Sequence, residues 1–558
     1  MRDCRTVWLC CLIAGLLIGC GDATTEPADA KVPDSVPQDS EVLPDGDPSD
    51  TPDTVVDVDP KDTETVEPDD GPIPDSADTP TPIDGDTPDG GPVDPPTEDQ
   101  KQLLLFINHL KTTKSVLIGE VGLKGQTPGA IIDYRAGPDG AIGSADDVTI
   151  DSIQELDELP YVGKTSLDKL QAFAHNWSED NTDPVLLLLN APSLTLVELD
   201  TDIGLDNDAA VSLIAYRAGD DGQVGTADDQ FFVCRYEVLA VKNVGKAAIR
   251  QLEEAVGLGS LELMDSGTSS NLTDLVFNDI GEALIVGIPV GINAHAIWFT
   301  PFSEEAYTTE DTPYEFLDFS EVMPEALIGV DFDVASGMVY AVGEVAGLYV
   351  LDTFTFDATF LENSDVESFS DVAVDPMSGD VYAASAEAEV IVRYDAITLT
   401  AEIVATVAVN AISFTGSPPL LTGVGDGGTV TIFDAGGPTP TTIGSTEYLY
   451  GVFSTDEQGQ RMVVGDAGLA TLGTSDWARL STRTLRPIRA GARSPDGTHL
   501  LLVGQGGTVL RYDLAGNGLA SLTSPVSVDF SSVAFAVDGT ALIVGDAGVV
   551  LQYVPVEP

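Results

Sequence analysis

From about residue 268 onward, short apolar runs alternate with turns rich in glycine, aspartate and serine, a pattern that predicts β-strands. One phrase recurs seven times: an apolar run, a small residue, a polar or glycine-rich turn and a second apolar run. The small residues of the seven copies are Gly287, Gly343, Ser385, Gly425, Gly465, Gly504 and Gly545. Their intervals of 56, 42, 40, 40, 39 and 41 residues match the period of propeller blades. The pattern therefore predicts a β-propeller of about seven blades over residues 268–558.

Between residues 101 and 267 the apolar spacing is helical, and the pattern occurs twice. With a shift of 82 residues, YRAGPDGAIGSADD at 134–147 aligns with YRAGDDGQVGTADD at 216–229. The repeat predicts two tandem modules, 101–183 and 184–267, each built from short helices around glycine-bearing hairpins. The expected fold class is thus multidomain, with a small all-α tandem repeat ahead of an all-β propeller.

Within these modules, AIIDYR with SIQELDELPYVGKTSLDKL, and more loosely SLIAYR with YEVLAVKNVGKAAIRQL, resemble the helix-hairpin-helix units of competence-type DNA-uptake receptors. The resemblance implies non-specific DNA binding through hairpin amides that meet a phosphate. The matching candidate residues are Gly163, Lys164, Gly245, Lys246 and Arg250. Tyr161 and Asn243 stand where the family hairpin has its first glycine. Residues 101–265 contain 12 Lys or Arg and 27 Asp or Glu, so a purely structural use of the hairpins stays open.

The duplicated loop carries three aspartates in each copy at identical offsets, with glycines between them. Clustered carboxylates on a tight turn suit calcium, although the spacing is not that of an EF-hand. Alternatively, the aspartates accept hydrogen bonds from their own backbone amides and need no metal. The candidate calcium ligands are Asp139, Asp146, Asp147, Asp221, Asp228 and Asp229.

The N-terminus predicts export. Two arginines precede a short apolar run that ends in Leu-Ile-Gly-Cys, which resembles a bacterial lipobox with Cys20 as the lipidated residue. An ordinary signal peptide or an uncleaved anchor is the alternative. We expect a signal peptide over 1–19 and a disordered tether over 20–100, because residues 21–100 hold 25 Asp or Glu, 16 prolines and no aromatic residue. These features predict a protein anchored by its lipid, in the outer membrane or at the cell surface.

Basic residues are scarce in the propeller and concentrated in one segment. Five of its eight lysines and arginines fall within WARLSTRTLRPIRAGAR. They are either structural partners of nearby acids or an anion-binding strip for a glycan, a lipid headgroup or an acidic partner. The candidate strip consists of Arg479, Arg483, Arg486, Arg489 and Arg493.

The propeller phrases, such as SPDGTHLLLVG, resemble quinoprotein-like and WD40-like β-propellers, although no copy ends in Trp-Asp. Four scattered histidines show no metal-ligand or nucleophile-base spacing, so we expect no enzymatic activity. The leading hypothesis is a lipid-anchored, non-catalytic interaction scaffold that binds a protein or glycan on its propeller. The alternative is a DNA-binding lipoprotein. The sequence leaves the oligomeric state open.

Overall fold

The computed structural model describes residues 97–144, 146–175, 177, 183–226, 228–301, 314–456, 458–516 and 518–556. The predicted signal peptide, Cys20 and nearly all of the predicted tether lie outside these residues. Within the described part of the chain, no helix combines the length and the apolar character needed to cross a bilayer.

The first part of the described chain is helical. Module 1 contains α1 (Glu98–Asn108), α2 (Lys114–Gly119), α3 (Thr127–Arg135), α4 (Ile153–Asp157) and α5 (Lys164–His175). Module 2 contains α6 (Pro184–Asn190), a π-helical turn (Glu198–Asp202), α7 (Asn207–Arg217), α8 (Arg235–Ala240) and α9 (Lys246–Ala255). Each module has its own apolar core, one around Phe106 and Phe173 and the other around Leu189 and Leu213.

Equivalent residues of the two modules make the same hydrogen bonds. The Asn108 side chain donates to the Ile150 carbonyl (2.8 Å) and accepts from the Ile150 amide (2.9 Å). Asn190 makes the same pair of bonds with Phe232, at 2.8 and 2.9 Å. The sequence repeat is therefore a repeat of tertiary contacts, with each asparagine tying the first helix of its module to the end of the aspartate loop.

The turns before α5 and α9 contain residues in the left-handed region. Tyr161 has φ 68° and Asn243 has φ 66°, a conformation that glycine adopts most readily. These two positions correspond to the first glycine of the helix-hairpin-helix units that the sequence resembles.

The rest of the chain forms seven antiparallel sheets of four strands each. We number these blades 1 to 7 in chain order. Blades 1 to 3 contain β2 (Asn271–Phe277), β3 (Ala283–Ile288), β4 (Ala296–Pro301), β5 (Tyr314–Asp318); β6 (Leu327–Asp333), β7 (Met338–Gly343), β8 (Gly347–Asp352), β9 (Ala358–Glu362); and β10 (Asp371–Val374), β11 (Val381–Ser385), β12 (Val390–Tyr394), β13 (Ala401–Thr406).

Blades 4 to 6 contain β14 (Ala411–Thr415), β15 (Leu420–Gly425), β16 (Thr429–Asp434), β17 (Gly437–Thr442); β18 (Leu449–Ser454), β19 (Arg461–Gly465), β20 (Ala470–Gly473), β21 (Trp477–Arg479); and β22 (Ile488–Arg493), β23 (His499–Gly504), β24 (Thr508–Asp513), β25 (Leu519–Thr523). Blade 7 contains β26 (Phe530–Phe535), β27 (Ala541–Gly545), β28 (Val550–Val554) and, at its outer edge, β1 (Ser260–Met264). The prediction of seven blades is confirmed.

Blade 7 closes the ring with a strand from the other end of the domain. β1 pairs antiparallel with β28, from Ser260 opposite Val554 to Met264 opposite Val550. β1 falls inside 184–267, the range that the sequence assigned to the second helical module. Its pairing covers the edge of β28 and joins both ends of the propeller domain.

Close backbone packing explains the recurrent small residue of the seven phrases. It lies at or near the end of the second strand of each blade. A Cβ at Gly343 would lie 2.0 Å from the Ala326 carbonyl oxygen, and one at Gly504 would lie 2.1 Å from that of Pro487. Blade 3 has Ser385 here, and its hydroxyl accepts the Ala388 amide (3.2 Å). Glycine is therefore selected by contact with the strand that enters the same blade.

Candidate interaction surface

Chain direction divides the propeller into two faces. The strands of a blade are antiparallel neighbours, so the turns after its first and third strands lie at one end and the turn after its second strand lies at the other. The first strands of adjacent blades contact one another around the ring. We call the face with the first-to-second and third-to-fourth strand turns the turn face. The opposite face is the helix face, because Lys246 of α9 bonds there to Ser524, in the connection between blades 6 and 7.

The most exposed apolar side chains cluster on the turn face. Among the described residues, seven large hydrophobic side chains are more than about two-thirds exposed. Ile292 belongs to the helix face. The other six lie on the turn face of blades 7, 1, 2 and 3, which are consecutive around the ring. We call these six the apolar arc: Ile280 (69%), Val334 (71%), Phe354 (81%), Met377 (76%), Ile397 (92%) and Val537 (67%).

Aspartate turns hold the apolar arc outward in blades 2 and 3. The side chains of Asp352, Asp375 and Asp395 each accept the backbone N–H two residues on, at 2.8, 2.9 and 3.1 Å. Those amides belong to Phe354, Met377 and Ile397. Such a turn fixes the backbone through the aspartate itself and leaves the third residue pointing into solvent.

The same turn occurs elsewhere in the propeller without an apolar residue at its tip. Asp456 of blade 5 accepts the Gln458 amide (2.9 Å), and Asp513 of blade 6 accepts the Ala515 amide (2.8 Å). The turn geometry therefore does not require a large apolar side chain. Phe354, Met377 and Ile397 contribute exposed surface that folding does not explain.

The apolar arc lies in a negatively charged setting. The turns that carry it are 278–282, 333–337, 352–357, 375–380, 395–400 and 536–540, and each contains an aspartate. None of them contains lysine, arginine or histidine. The surface therefore combines apolar tips with carboxylates and suits a ligand that is both apolar and cationic.

Three carboxylates link neighbouring blades beneath the apolar arc by hydrogen bonds. Asp274 of β2 accepts the Val330 amide of blade 2 (2.9 Å) and the Ser532 hydroxyl of blade 7 (2.7 Å). In the same way, Asp331 accepts the Val374 amide of blade 3 (2.7 Å). Asp371 accepts the Ile412 amide of blade 4 (2.8 Å). The blades under the arc are therefore cross-linked near the axis, which gives a preorganised binding surface.

We expect the stability of this region to depend on pH. Burial is the main cause that raises the pKa of Asp274 and of Asp331 to about 6 and raises that of Asp371 well above its usual range. The folded state then holds protons more tightly than the unfolded chain, so stability is greatest below about pH 4 and declines as pH rises to about 6 and above. The thermal unfolding midpoint of the full chain should therefore be lower at about pH 7 than at about pH 4.5.

A neutral residue at Asp371 isolates this effect. In blade 7, Ser532 occupies the equivalent place: Asp371 pairs with Ala384 and Ser532 pairs with Val544, each the residue just before the small residue of the phrase. Asp371→Ser should flatten the pH dependence of the thermal midpoint. An unchanged slope in Asp371→Ser would show that this carboxylate titrates normally in the fold.

The helical modules are docked against the outer strand of blade 6 through a buried carboxylate. Glu253 of α9, 2% exposed, accepts the Thr523 amide (2.9 Å) and the Thr523 hydroxyl (2.7 Å) of blade 6. It also pairs with Arg235, whose guanidinium bonds to Asp183 at 2.5 and 3.0 Å. Arg511 of the propeller donates to the Gly257 carbonyl (2.7 Å). None of these docking bonds involves a residue of the apolar arc.

The candidate DNA contacts are divided between two environments. Gly163 and Lys164 are exposed, and Lys164 pairs with Asp168 one turn along α5 (2.9 Å). Gly245 is also exposed, whereas Lys246 donates to the Ser524 carbonyl (3.3 Å). Arg250 is half-buried on α9. Binding of DNA by these residues stays a prediction.

The two aspartate loops adopt one conformation, held by their own hydrogen bonds. In module 1, Asp146 accepts the Asp139 amide (3.0 Å) and the Ser144 hydroxyl (2.6 Å), and Asp147 accepts the Gly143 amide (2.7 Å). Module 2 repeats these bonds. Asp228 accepts the Asp221 amide (3.0 Å) and the Thr226 hydroxyl (2.7 Å), and Asp229 accepts the Gly225 amide (2.7 Å). The Ser144 and Thr226 hydroxyls are the main cause that lowers the pKa of Asp146 and of Asp228.

Hydrogen bonds to the chain thus account for the spacing of the loop aspartates. Among the described residues, no group of three or more His, Cys, Asp or Glu side chains is arranged to hold a metal ion. Calcium binding by the loops stays a prediction, and a calcium titration of the full chain with and without chelator would check it.

The five arginines of the candidate anion strip do not share one surface. Arg479 ends β21 at the outer edge of blade 5. Arg483 and Arg486 lie in the connection to blade 6, on the helix face. Arg489 of β22 pairs with Asp529 (3.2 Å), and Arg493 is exposed at the far end of the same strand. Only the middle pair therefore faces a common space.

Comparisons with known proteins add a fold likeness. No protein-family model matches the chain, and neither does any curated protein. The chain is similar to the solved WD40 β-propeller domain of Doa1, with 13% identity and TM-score 0.44 over 53% of this chain and 97% of that one. It is also similar to YCF48 bound to D1 peptide, with 16% identity and TM-score 0.42 over 53% and 96% of the two chains.

A third similar structure is a catalytically inactive virginiamycin B lyase from Staphylococcus aureus with quinupristin. It has 11% identity and TM-score 0.44, over 53% of this chain and 98% of that one. The hydrogen bonding of the seven sheets defines the class independently. The chain carries a seven-bladed β-propeller.

Proposed function

We propose that this protein is a non-catalytic interaction scaffold whose binding surface is the apolar arc. The observation that carries the proposal is the concentration of exposed apolar tips on four consecutive blades of one face. Turns of the same geometry in blades 5 and 6 have Gln458 or Ala515 at the position where the apolar arc has a large apolar side chain. Exposed apolar side chains that are not needed for folding mark interaction sites.

The partner that fits is a polypeptide segment in which basic and apolar residues alternate. Its apolar side chains would cover Phe354, Met377 and Ile397, and its lysines or arginines would meet the aspartates of the same turns. The acidic segment 21–100 of this chain is repelled by such a surface. So is a second copy, since the chain carries a net charge of −68. The occupant is therefore a different, cationic protein.

We further propose that the protein acts at a membrane surface. A lipid on Cys20 would hold the protein at an outer membrane or cell surface, and the acidic segment after it would separate the propeller from the bilayer. The absence of a nucleophile-base pattern in the sequence supports a role in binding rather than in catalysis.

A titration with defined peptides tests the proposal. The probe is a fluorescein-labelled synthetic peptide in which lysine and leucine alternate, titrated with the full chain and followed by fluorescence anisotropy. A matched peptide in which glutamate replaces lysine is the control. We expect saturable binding of the basic peptide with a Kd of about micromolar order and no binding of the acidic one. Equal binding of both peptides, or of neither, would refute a cation-selective apolar surface.

A further inference from the structure

A second, separate space lies between the helical modules and the propeller. It is a cavity of about 640 Å³ along the outer edge of blade 6 and the adjoining part of the helix face, within the size range of small-molecule sites. Module 1 contributes Gly119–Gly122 and Lys169, and module 2 contributes residues of α8 and α9. Blade 6 and the connection from blade 5 form the remaining wall. We call this space the junction cavity.

Two segments that the sequence marked separately as anion-binding candidates meet in the junction cavity. Lys246 comes from the second hairpin, and Arg483 and Arg486 come from the arginine-rich segment. Lys169 and Arg235 add two further cations to the wall. A cationic cavity stands out in a chain whose net charge is −68.

Neutral acceptors hold several of these cations in place. Lys169 donates to the Gly122 carbonyl (2.9 Å), Lys246 donates to the Ser524 carbonyl (3.3 Å), and Arg486 donates to the Gly506 carbonyl. A carbonyl orients a cation but leaves its charge in place. Arg235 differs, because Asp183 and Glu253 neutralise it. Lys169, Lys246 and Arg486 therefore form a positioned cationic set.

Glu120 is the remaining carboxylate of the cavity wall, and its charge depends on pH near neutrality. Burial, the largest cause, raises its pKa to about 7, while Arg483 lowers it and Asp183 and Glu237 raise it. Below that pH Glu120 is neutral and the cavity is more positive. A bound anion would thus be held more tightly as pH falls through about 7.

The rest of the cavity wall, around Tyr236 and two serines, suits a small molecule that carries hydroxyl groups. Tyr236, 46% exposed, packs so closely on α2 that a Cβ at Gly119 would lie 2.4 Å from the tyrosine Cβ. Ser521 and Ser527 add hydroxyl groups. An amphipathic aromatic wall with hydroxyl donors accommodates a sugar ring as well as its polar substituents.

We propose that the junction cavity binds an acidic saccharide, a sugar of one or two rings that carries a phosphate, sulfate or carboxylate group. The oxyanion would lie against Lys169, Lys246 and Arg486. The sugar ring would lie against Tyr236. Because the site draws on both helical modules and the propeller, binding would also stiffen their junction.

Isothermal titration of the full chain with glucose 6-phosphate, glucuronate and glucose tests the proposal. We expect both anions to bind and glucose not to bind. Binding of glucuronate, whose carboxylate stays ionised over this range, should be tighter at about pH 6 than at about pH 8. The phosphate and carboxylate probes also distinguish which oxyanion the site prefers. No binding of either anion, or equal binding of glucose, would overturn the proposal.

Variants that keep a hydrogen-bond donor but remove charge locate the site. Lys246→Gln combined with Arg486→Gln should weaken anion binding about tenfold or more while the thermal midpoint stays unchanged. The matched control is Lys242→Gln, an exposed lysine of the same hairpin outside the cavity wall. Equal affinity in the double variant and the control would place the anion elsewhere. The apolar arc lies on the opposite face, so this result is independent of the peptide titration.

Discussion

Replacing Phe354, Met377 and Ile397 together with serine is expected to abolish binding of the basic lysine-leucine peptide. Each of these side chains is more than three-quarters exposed, and each sits on a turn fixed by its own aspartate. The substitutions therefore remove contact surface and leave the turns intact. Loss of three apolar anchors should weaken binding by about a hundredfold or more, measured by fluorescence anisotropy.

Ile292→Ser is the matched control for this triple variant. Ile292 is the remaining one of the seven most exposed hydrophobic side chains in the described residues, and it lies on the helix face. Its replacement should leave peptide affinity unchanged. If Ile292→Ser and the triple variant weaken binding equally, the peptide is held by general apolar exposure and not by the apolar arc.

Glu253→Ala is expected to have the largest effect on stability. Glu253 is almost fully buried and bonds at once to Arg235 and to both the amide and the hydroxyl of Thr523. Alanine would leave a buried amide without an acceptor and remove one of the two carboxylates of Arg235. Because Asp183 still compensates Arg235, the loss of these hydrogen bonds should cost about 1–3 kcal/mol. The helical signal in far-UV circular dichroism should be lost at a lower urea concentration.

The neighbouring Glu254→Ala supplies the control, because Glu254 is exposed on the same helix. Its replacement removes the same charge and should shift the urea midpoint little. Equal midpoints for Glu253→Ala and Glu254→Ala would show that the buried carboxylate does not hold the helical modules to blade 6.

The blade count was predictable because packing imposes it on the sequence. A Cβ at Gly343 or Gly504 would collide with a backbone carbonyl, so the small residue recurs with the blade period. The tandem repeat was predictable for a similar reason, since Asn108 and Asn190 must each reach the end of the aspartate loop of its own module. Local steric and hydrogen-bonding demands leave periodic marks in a sequence.

Three features of the structure have no periodic signal in the sequence: strand β1, the junction cavity and the apolar arc. β1 pairs with β28 almost the whole domain away in the chain, and it carries no copy of the glycine phrase. The junction cavity depends on Lys246 meeting Arg486 through docking of two folded units. The apolar arc was missed because turns are expected to be polar. The Asp-x-Phe, Asp-x-Met and Asp-x-Ile triplets of blades 2 and 3 were the available signal.

The most direct test of the interaction surface is amide hydrogen exchange of the full chain with and without the basic peptide. We expect the peptide to slow exchange in the turns of blades 2 and 3, which are 333–337, 352–357, 375–380 and 395–400. The corresponding turns of blades 5 and 6, 455–460 and 513–518, should exchange at the same rate in both samples. Protection confined to blades 5 and 6, or to the helix face, would contradict the assignment of the apolar arc as the binding surface.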